Sequence, residues 1–291
     1  GINALSVGNR SMDIVELFYE GPFFRDDLTI AVGKLDFTGI FDAVEYADDE
    51  CSQFLNASLV DDPTIPFPEQ GLGMVLSWDI TDSWYLMAGA ADAQADARET
   101  GFRTAFHRED FFFYALETGK TLEIDSAGGP MSGTYRAGLW VDGQDKASLS
   151  SGRNYRDDAG LYLSCDQMLY RESAEAEDTQ GLGGFMRYGW ADSRYNSITN
   201  FFSFGLQYQG LIEGRDEDVL GAGYSRGFFS DHDSANYPVD YESVLEIYYS
   251  IQLSPWCVVS PSMQYITNPN SGSGNRTSDA LTAALRVSVT F

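Results

Sequence analysis

Apolar and polar positions alternate with a period of two along most of this chain. In the run 281–291, Leu281, Ala283, Leu285, Val287, Val289 and Phe291 share one face, and Thr282, Ala284, Arg286, Ser288 and Thr290 share the other. In 243–254, Leu245, Ile247, Tyr249, Ile251 and Leu253 oppose Glu246, Tyr248, Ser250 and Gln252. In 133–142, Tyr135, Ala137, Leu139 and Val141 oppose Thr134, Arg136, Gly138 and Trp140. The pattern predicts thirteen strands, near 12–19, 28–37, 71–80, 84–92, 110–121, 133–142, 159–170, 181–191, 200–212, 218–229, 242–254, 256–267 and 280–291. These lengths suit tilted membrane-spanning strands of about 9–11 residues better than soluble strands of about five or six. Segment 28–37 is less regular, and its apolar phase switches near Lys34, as a bulge would produce.

The spacers alternate between short and long. Thr81-Asp82-Ser83 and Ser254-Pro255 are tight, whereas 38–70, 93–109, 143–158, 230–241 and 268–279 are long and polar. Short turns on one rim and long loops on the other characterise outer-membrane barrels. Aromatic residues gather at strand ends, among them Phe18, Tyr19, Trp78, Trp84, Tyr85, Tyr188, Trp190, Phe228 and Trp256. Interfacial girdles sit there, although the same residues could fill a soluble core. No run approaches the roughly 18 apolar residues of a membrane-spanning helix, which says nothing against a barrel. The expected fold is all-β: an antiparallel transmembrane β-barrel forming a single domain over 1–291, with no repeat or linker. Bacterial single-chain barrels normally have an even strand number. The odd count therefore predicts either an overlooked strand or a wall whose N-terminal part is absent. The last strand should pair with the first, so that no edge stays open in lipid.

Composition narrows the functions. Asp and Glu total 44 against 18 Lys and Arg, for a net charge of −26. A phosphate backbone would be repelled, which argues against a nucleic-acid partner. The acids cluster at Asp48-Asp49-Glu50, Asp61-Asp62, Glu175 to Asp178 and Asp216-Glu217-Asp218. These read as solvated loops, with divalent-cation binding as the sharper alternative, and no metal site is assigned. Cys51, Cys165 and Cys257 lack metal-ligand spacing, and Cys165 and Cys257, inside strand-like runs, read as packing residues. His107 and His232 fall in loops without a nucleophile elbow, so an outer-membrane lipase or protease is disfavoured and no catalytic residue is assigned. No glycine-rich phosphate loop is present and no cofactor is called for. The chain starts at Gly1 with no signal peptide, as a mature secreted protein or a fragment would.

An ordered set of short runs carries a resemblance. They include Val32-Gly-Lys-Leu-Asp36, Phe41-Asp42, Pro63-Thr-Ile-Pro-Phe-Pro68 and Gly101-Phe-Arg-Thr-Ala-Phe-His107. Tyr135-Arg-Ala-Gly-Leu-Trp140, Ser164-Cys-Asp-Gln-Met-Leu-Tyr170, Arg187-Tyr-Gly-Trp190 and Gly205-Leu-Gln-Tyr-Gln-Gly-Leu211 follow. Gly214-Arg-Asp-Glu-Asp218, Glu246-Ile-Tyr-Tyr249, Ser254-Pro-Trp256 and Gln264-Tyr-Ile-Thr-Asn-Pro269 complete it. From about residue 12 onward the chain resembles the carbohydrate-selective porins of Gram-negative outer membranes, the OprB family. The resemblance implies a porin barrel of about sixteen strands around an aqueous channel. About three N-terminal strands are then expected to be missing here, to be supplied upstream or by another chain. It also implies a bacterial outer-membrane location, passive transport of small neutral sugars, contact with outer-membrane lipids and a homotrimer as an admissible assembly. Phe291 is expected at the periplasmic rim, where a C-terminal aromatic can serve as the assembly signal.

Alternation nominates the channel lining. Glu16, Asp79, Glu117, Arg136, Asp166, Arg187, Glu246 and Arg286 oppose the lipid-facing positions, where a charge near the midplane would cost about 2–4 kcal/mol. Both signs are present, which suits a neutral polyol better than an ion, because hydroxyls donate to carboxylates and accept from Arg. Trp140, Tyr162 and Tyr248 could stack on a pyranose ring. The charged residues could instead form a ladder that stiffens the wall. Lys34 and Asp36 match a family run and join the lining on that ground. Arg215, Asp216 and Asp218 read as a rim turn. Loop 38–70, with Pro63, Pro66 and Pro68, is the segment expected to fold inward, with a surface loop as the alternative. A porin for ions or other small solutes is the competing function, and a soluble sandwich or lectin the competing fold.

Overall fold

The structure, a computed structural model, describes residues 14–96, 102–105, 111–174, 179–232, 237–269 and 277–290. Among these residues, thirteen strands form one antiparallel sheet in chain order. They are β1 (Leu17–Phe23), β2 (Arg25–Leu35), β3 (Gly71–Thr81), β4 (Trp84–Asp92), β5 (Phe112–Ser126) and β6 (Gly129–Asp142). A small hairpin of β7 (Lys146–Ala147) and β8 (Asn154–Tyr155) precedes β9 (Asp158–Arg171). Then follow β10 (Gly181–Ala191), β11 (Ile198–Gln209), β12 (Val219–Phe229), β13 (Tyr241–Ser254), β14 (Cys257–Thr267) and β15 (Ala280–Val289). Two one-turn helices, α1 (Ala57–Val60) and α2 (Phe102–Ala105), lie in connections.

Every expected strand overlaps one of the sheet, with three differences. The strand expected at 12–19 runs instead over Leu17–Phe23 and turns at Phe24, which adopts φ 61°. Pro22 and the Asp26-Asp27 pair mimic a loop, but Pro22 sits one residue from the end of β1, at the register shift between Pro22 and Phe23, where a proline is tolerated. β5 and β6 also run on to a tight turn at Ala127-Gly128. The phase switch near Lys34 is not a bulge: the ladder runs regularly through Leu17↔Lys34 and Lys34↔Leu72, and the register shift falls at Pro22/Phe23. Lys34 and Leu35 are both buried, at the point where the chain leaves the sheet. Phe291 lies outside the described residues.

The outward face is apolar and open. Leu139, Leu163, Met186, Ile247, Met263 and Leu285 are each at least half exposed. A contiguous apolar surface of that extent belongs against lipid. The inward face holds the core. Leu35, Phe37, Phe41, Phe113, Trp140 and Tyr162 form one cluster, and Val44, Phe54, Leu59, Val60, Phe185 and Tyr248 form another. Both clusters join the wall to the connection 36–70, which also bonds to β5 through Glu117 and to β15 through Arg286. In a flat sheet those strands would stand nearly 40 Å apart, at about 4.8 Å per step. The sheet therefore curls around the 36–70 segment. Closure is not seen: β1 and β15 do not pair with each other among the described residues.

Tight notches in the wall make room for this core. A Cβ on Gly138 would sit 2.0 Å from Cζ of the Tyr162 ring. A Cβ on Gly189 would sit 2.1 Å from the Asp62 carboxylate. Glycine is required at both positions by close approach. Gly138→Ala is expected to cost about 1–3 kcal/mol, read as a lower unfolding temperature of the detergent-solubilised protein. Adding Tyr162→Leu should recover part of the loss, and an unchanged temperature for Gly138→Ala would refute the notch.

Candidate functional site

Segment 36–70 enters the lumen because its side chains cannot remain in water. Phe37, Phe41, Val44, Phe54, Leu59, Val60 and Ile65 are all buried. Wall aromatics receive them: Phe54 meets Tyr248 edge-on at 5.0 Å and Phe185 at 5.7 Å, and Phe37 meets Phe113 at 6.2 Å. Each buried apolar side chain contributes roughly 1.5–3 kcal/mol. Asn56 starts α1, accepting from the Ser58 backbone N–H at 3.1 Å and the Ser58 hydroxyl at 2.7 Å.

Polar wall groups fix the position. The Arg187 guanidinium donates to the Leu59 carbonyl at 2.9 Å and the Asp42 carbonyl at 3.2 Å, and pairs with the Asp42 carboxylate at 3.0 Å. The Glu117 carboxylate accepts from the Asp42 backbone N–H at 2.8 Å, the Tyr85 hydroxyl at 2.7 Å and the Tyr162 hydroxyl at 2.8 Å. The Glu246 carboxylate accepts from the backbone N–H groups of Leu55 and Asn56, both at 2.9 Å. Arg286 donates to the carbonyls of Glu50 and Gln53 at 2.6 and 2.9 Å. Ser58 and Ser225 share a hydrogen bond of 2.6 Å. Buried charges held this way are costly to strip of a partner. Within the segment, burial pushes the Asp48 carboxyl up to about 6, opposed by Arg187. Burial and then the Asp42 charge also raise the Asp62 carboxyl.

The nominated lining thus divides. Glu117, Tyr162, Arg187, Glu246 and Arg286 meet the segment or brace the groups that do. Trp140 is buried against Phe113, and Tyr248 lies under Phe54. The rings nominated for sugar stacking are therefore covered by protein. Arg136 and Asp166 pair on the wall at 2.5 Å. Lys34 is buried, and Asp79 is exposed near the β3–β4 turn. Glu16 and Asp36 come together, with the Asp36 backbone N–H donating to Glu16 at 3.3 Å. They share a cavity of about 560 Å³ with Glu20, Asp48, Glu50 and Asp61, between the segment and β1–β2. Arg215 and Asp218 pair in the β11–β12 turn. Asp42, Asn56, Asp62 and Ser225 are contributors that alternation did not nominate. For Asp42, Asn56 and Asp62 the signal was the density of apolar residues across 37–67, too high for an exposed loop; Ser225, on β12, had none beyond its inward phase.

A family model described as the carbohydrate-selective porin, OprB family, matches residues 2–291. Porin B of Pseudomonas aeruginosa is 22% identical over 264 residues, which cover 77% of this chain and 56% of that protein. The chain thus spans little more than half the length of that curated relative. The high-pH structure of Pseudomonas putida OprB superposes with a TM-score of 0.81 at 18% identity, covering 96% of this chain and 73% of the other. The low-pH structure of that protein gives 0.57 at 16% identity, covering 96% and 67%. At these identities the solved structures establish the shared fold.

Arg187→Ala should loosen the segment by about 3–5 kcal/mol, because Asp42 loses its buried partner. Cleavage at Glu45 and Glu50 by a glutamyl endopeptidase should then accelerate while the wall stays intact, and unchanged cleavage would refute the anchor. The raised carboxyls set a pH dependence. Their folded pKa values lie above the unfolded value of about 3.9. Their contribution is complete below that pH and is lost as pH rises through about 6 for Asp48. Cleavage, normalised to a reference peptide, should be faster at pH 8 than at pH 5. Slower cleavage at pH 8 would contradict the shifts.

Proposed function

The chain belongs to the carbohydrate-selective porins of the OprB family, and from that premise we propose that it forms the wall of an outer-membrane channel for passive diffusion of small neutral sugars. The observation that carries this reading is segment 36–70 held inside the wall, leaving a polar cavity beside it. Family and fold are those of outer-membrane channels rather than enzymes. The cavity has the chemistry a polyol needs. Glu16, Glu20, Asp36, Asp48, Glu50 and Asp61 supply carboxylate acceptors for sugar hydroxyls. Gln70, which donates to Asp36 at 2.7 Å, adds an amide. Arg187 and Arg286 act behind this surface, fixing the segment that forms one side of it. Binding in such a passage has to be weak enough to release the solute, near the millimolar range.

Among the described residues, the outer edges of β1 and β15 have no ladder partner, which bears on the domain. An open ladder in lipid leaves each backbone group short of a partner, at several kcal/mol apiece. We infer that further strands complete a single closed barrel domain. The acid lining also favours cations over anions, which keeps ion conduction as the second reading. In liposome swelling, glucose should permeate faster than glucuronate. Glu16→Gln, Glu20→Gln and Glu50→Gln together should narrow that gap. Equal rates for the two sugars in the wild type would contradict the proposed lining. Strong cation selectivity without sugar passage would favour the second reading.

A further inference from the structure

A second polar cavity lies apart from the acid-lined one. It occupies about 420 Å³ on the short-turn side of the segment, against the ends of β6, β9, β10 and β11. The segment closes it with Glu45 and Tyr46. The Tyr46 ring is seated in a notch: a Cβ on Gly183 would lie 2.2 Å from its Cζ.

Its chemistry differs from that of the acid-lined cavity. There, six carboxylates dominate. Here the wall supplies Ser132, Gln207 and Gln209, with Arg171 and Glu45 as one charge of each sign. Gln209 donates to the Thr179 hydroxyl at 2.9 Å, and the Gln207 carbonyl oxygen accepts only a long bond of 3.4 Å from Tyr248. Among the described residues, the Gln207 amide nitrogen, the Ser132 hydroxyl and the Glu45 carboxylate make no hydrogen bond within the protein. Burial, and then the nearby Asp166 charge, hold the Glu45 carboxyl above its ordinary range. Met168 and Pro130 add apolar surface for C–H groups. Unspent amide and hydroxyl groups around an apolar patch, with balanced charge, match a neutral polyhydroxylated solute rather than an ion.

We propose that this cavity is a second sugar station, on the short-turn and hence periplasmic side of segment 36–70. The proposal rests on the sugar-channel reading above. Solute leaving the acid-lined passage meets a site of different polarity, and successive weak sites favour release over trapping.

The test is sugar-induced current noise in a planar bilayer, with maltose added to the short-turn side alone. Gln207→Leu and Ser132→Ala each remove one hydrogen bond, so the half-saturating concentration should rise about three- to tenfold. Glucose entry in liposome swelling should persist in both variants. Ser132 lies exposed near the β6 end, so its truncation leaves the fold intact. Unchanged half-saturation in either variant, with wild-type glucose entry intact, overturns the station alone. A wild-type channel that neither admits glucose nor responds to maltose overturns the sugar reading itself.

Discussion

The architecture depends on where the inner wall spends its buried charges. Glu117, Arg187 and Glu246 are nearly inaccessible to solvent. Left unpaired in such surroundings, each would be strongly destabilising. Segment 36–70 brings backbone N–H groups to the two glutamates and carbonyls plus a carboxylate to the arginine. The exchange is mutual, since the backbone of this irregular segment also needs partners away from water. A porin wall is otherwise a shell with lipid outside and water within. This docking converts the interior into a packed core on one side and a polar cavity on the other.

Alternation made the wall legible because the physics behind it is strict. A side chain on a strand has two directions, and one of them is lipid. Leu139, Leu163, Ile247 and Leu285 obey it, all exposed on the outward face. Where the chain departs from alternation, legibility fell. The turn at Phe24 uses a left-handed phenylalanine where glycine or asparagine would announce it. Lys34 suggested a bulge because period-two reasoning has no account of a strand end covered by an incoming loop.

The interior was legible only in part. Alternation identified residues that face inward, but it could not say what they meet there. Trp140, Tyr162 and Tyr248 read equally well as open stacking platforms or as packing partners, and contacts from Phe113, Glu117 and Phe54 decide between them. Those partners lie 27, 45 and 194 positions away in sequence. The inward fold of the segment was written in its own composition: Phe37, Phe41, Phe54, Leu59 and Ile65 sit in what its prolines and acids present as a loop. Hydrophobic burial outweighs the loop signals.

The central claim is that segment 36–70 is docked by the wall, and two amides report on it directly. The N–H groups of Leu55 and Asn56 donate to Glu246 on β13. Site-resolved hydrogen exchange on the refolded protein should find both as slow as ladder amides of β13, and Glu246→Gln should speed them while the β13 ladder stays protected. Fast exchange at Leu55 and Asn56 in the unaltered protein would mean that the segment is not docked there, and the account of the interior would fall with it.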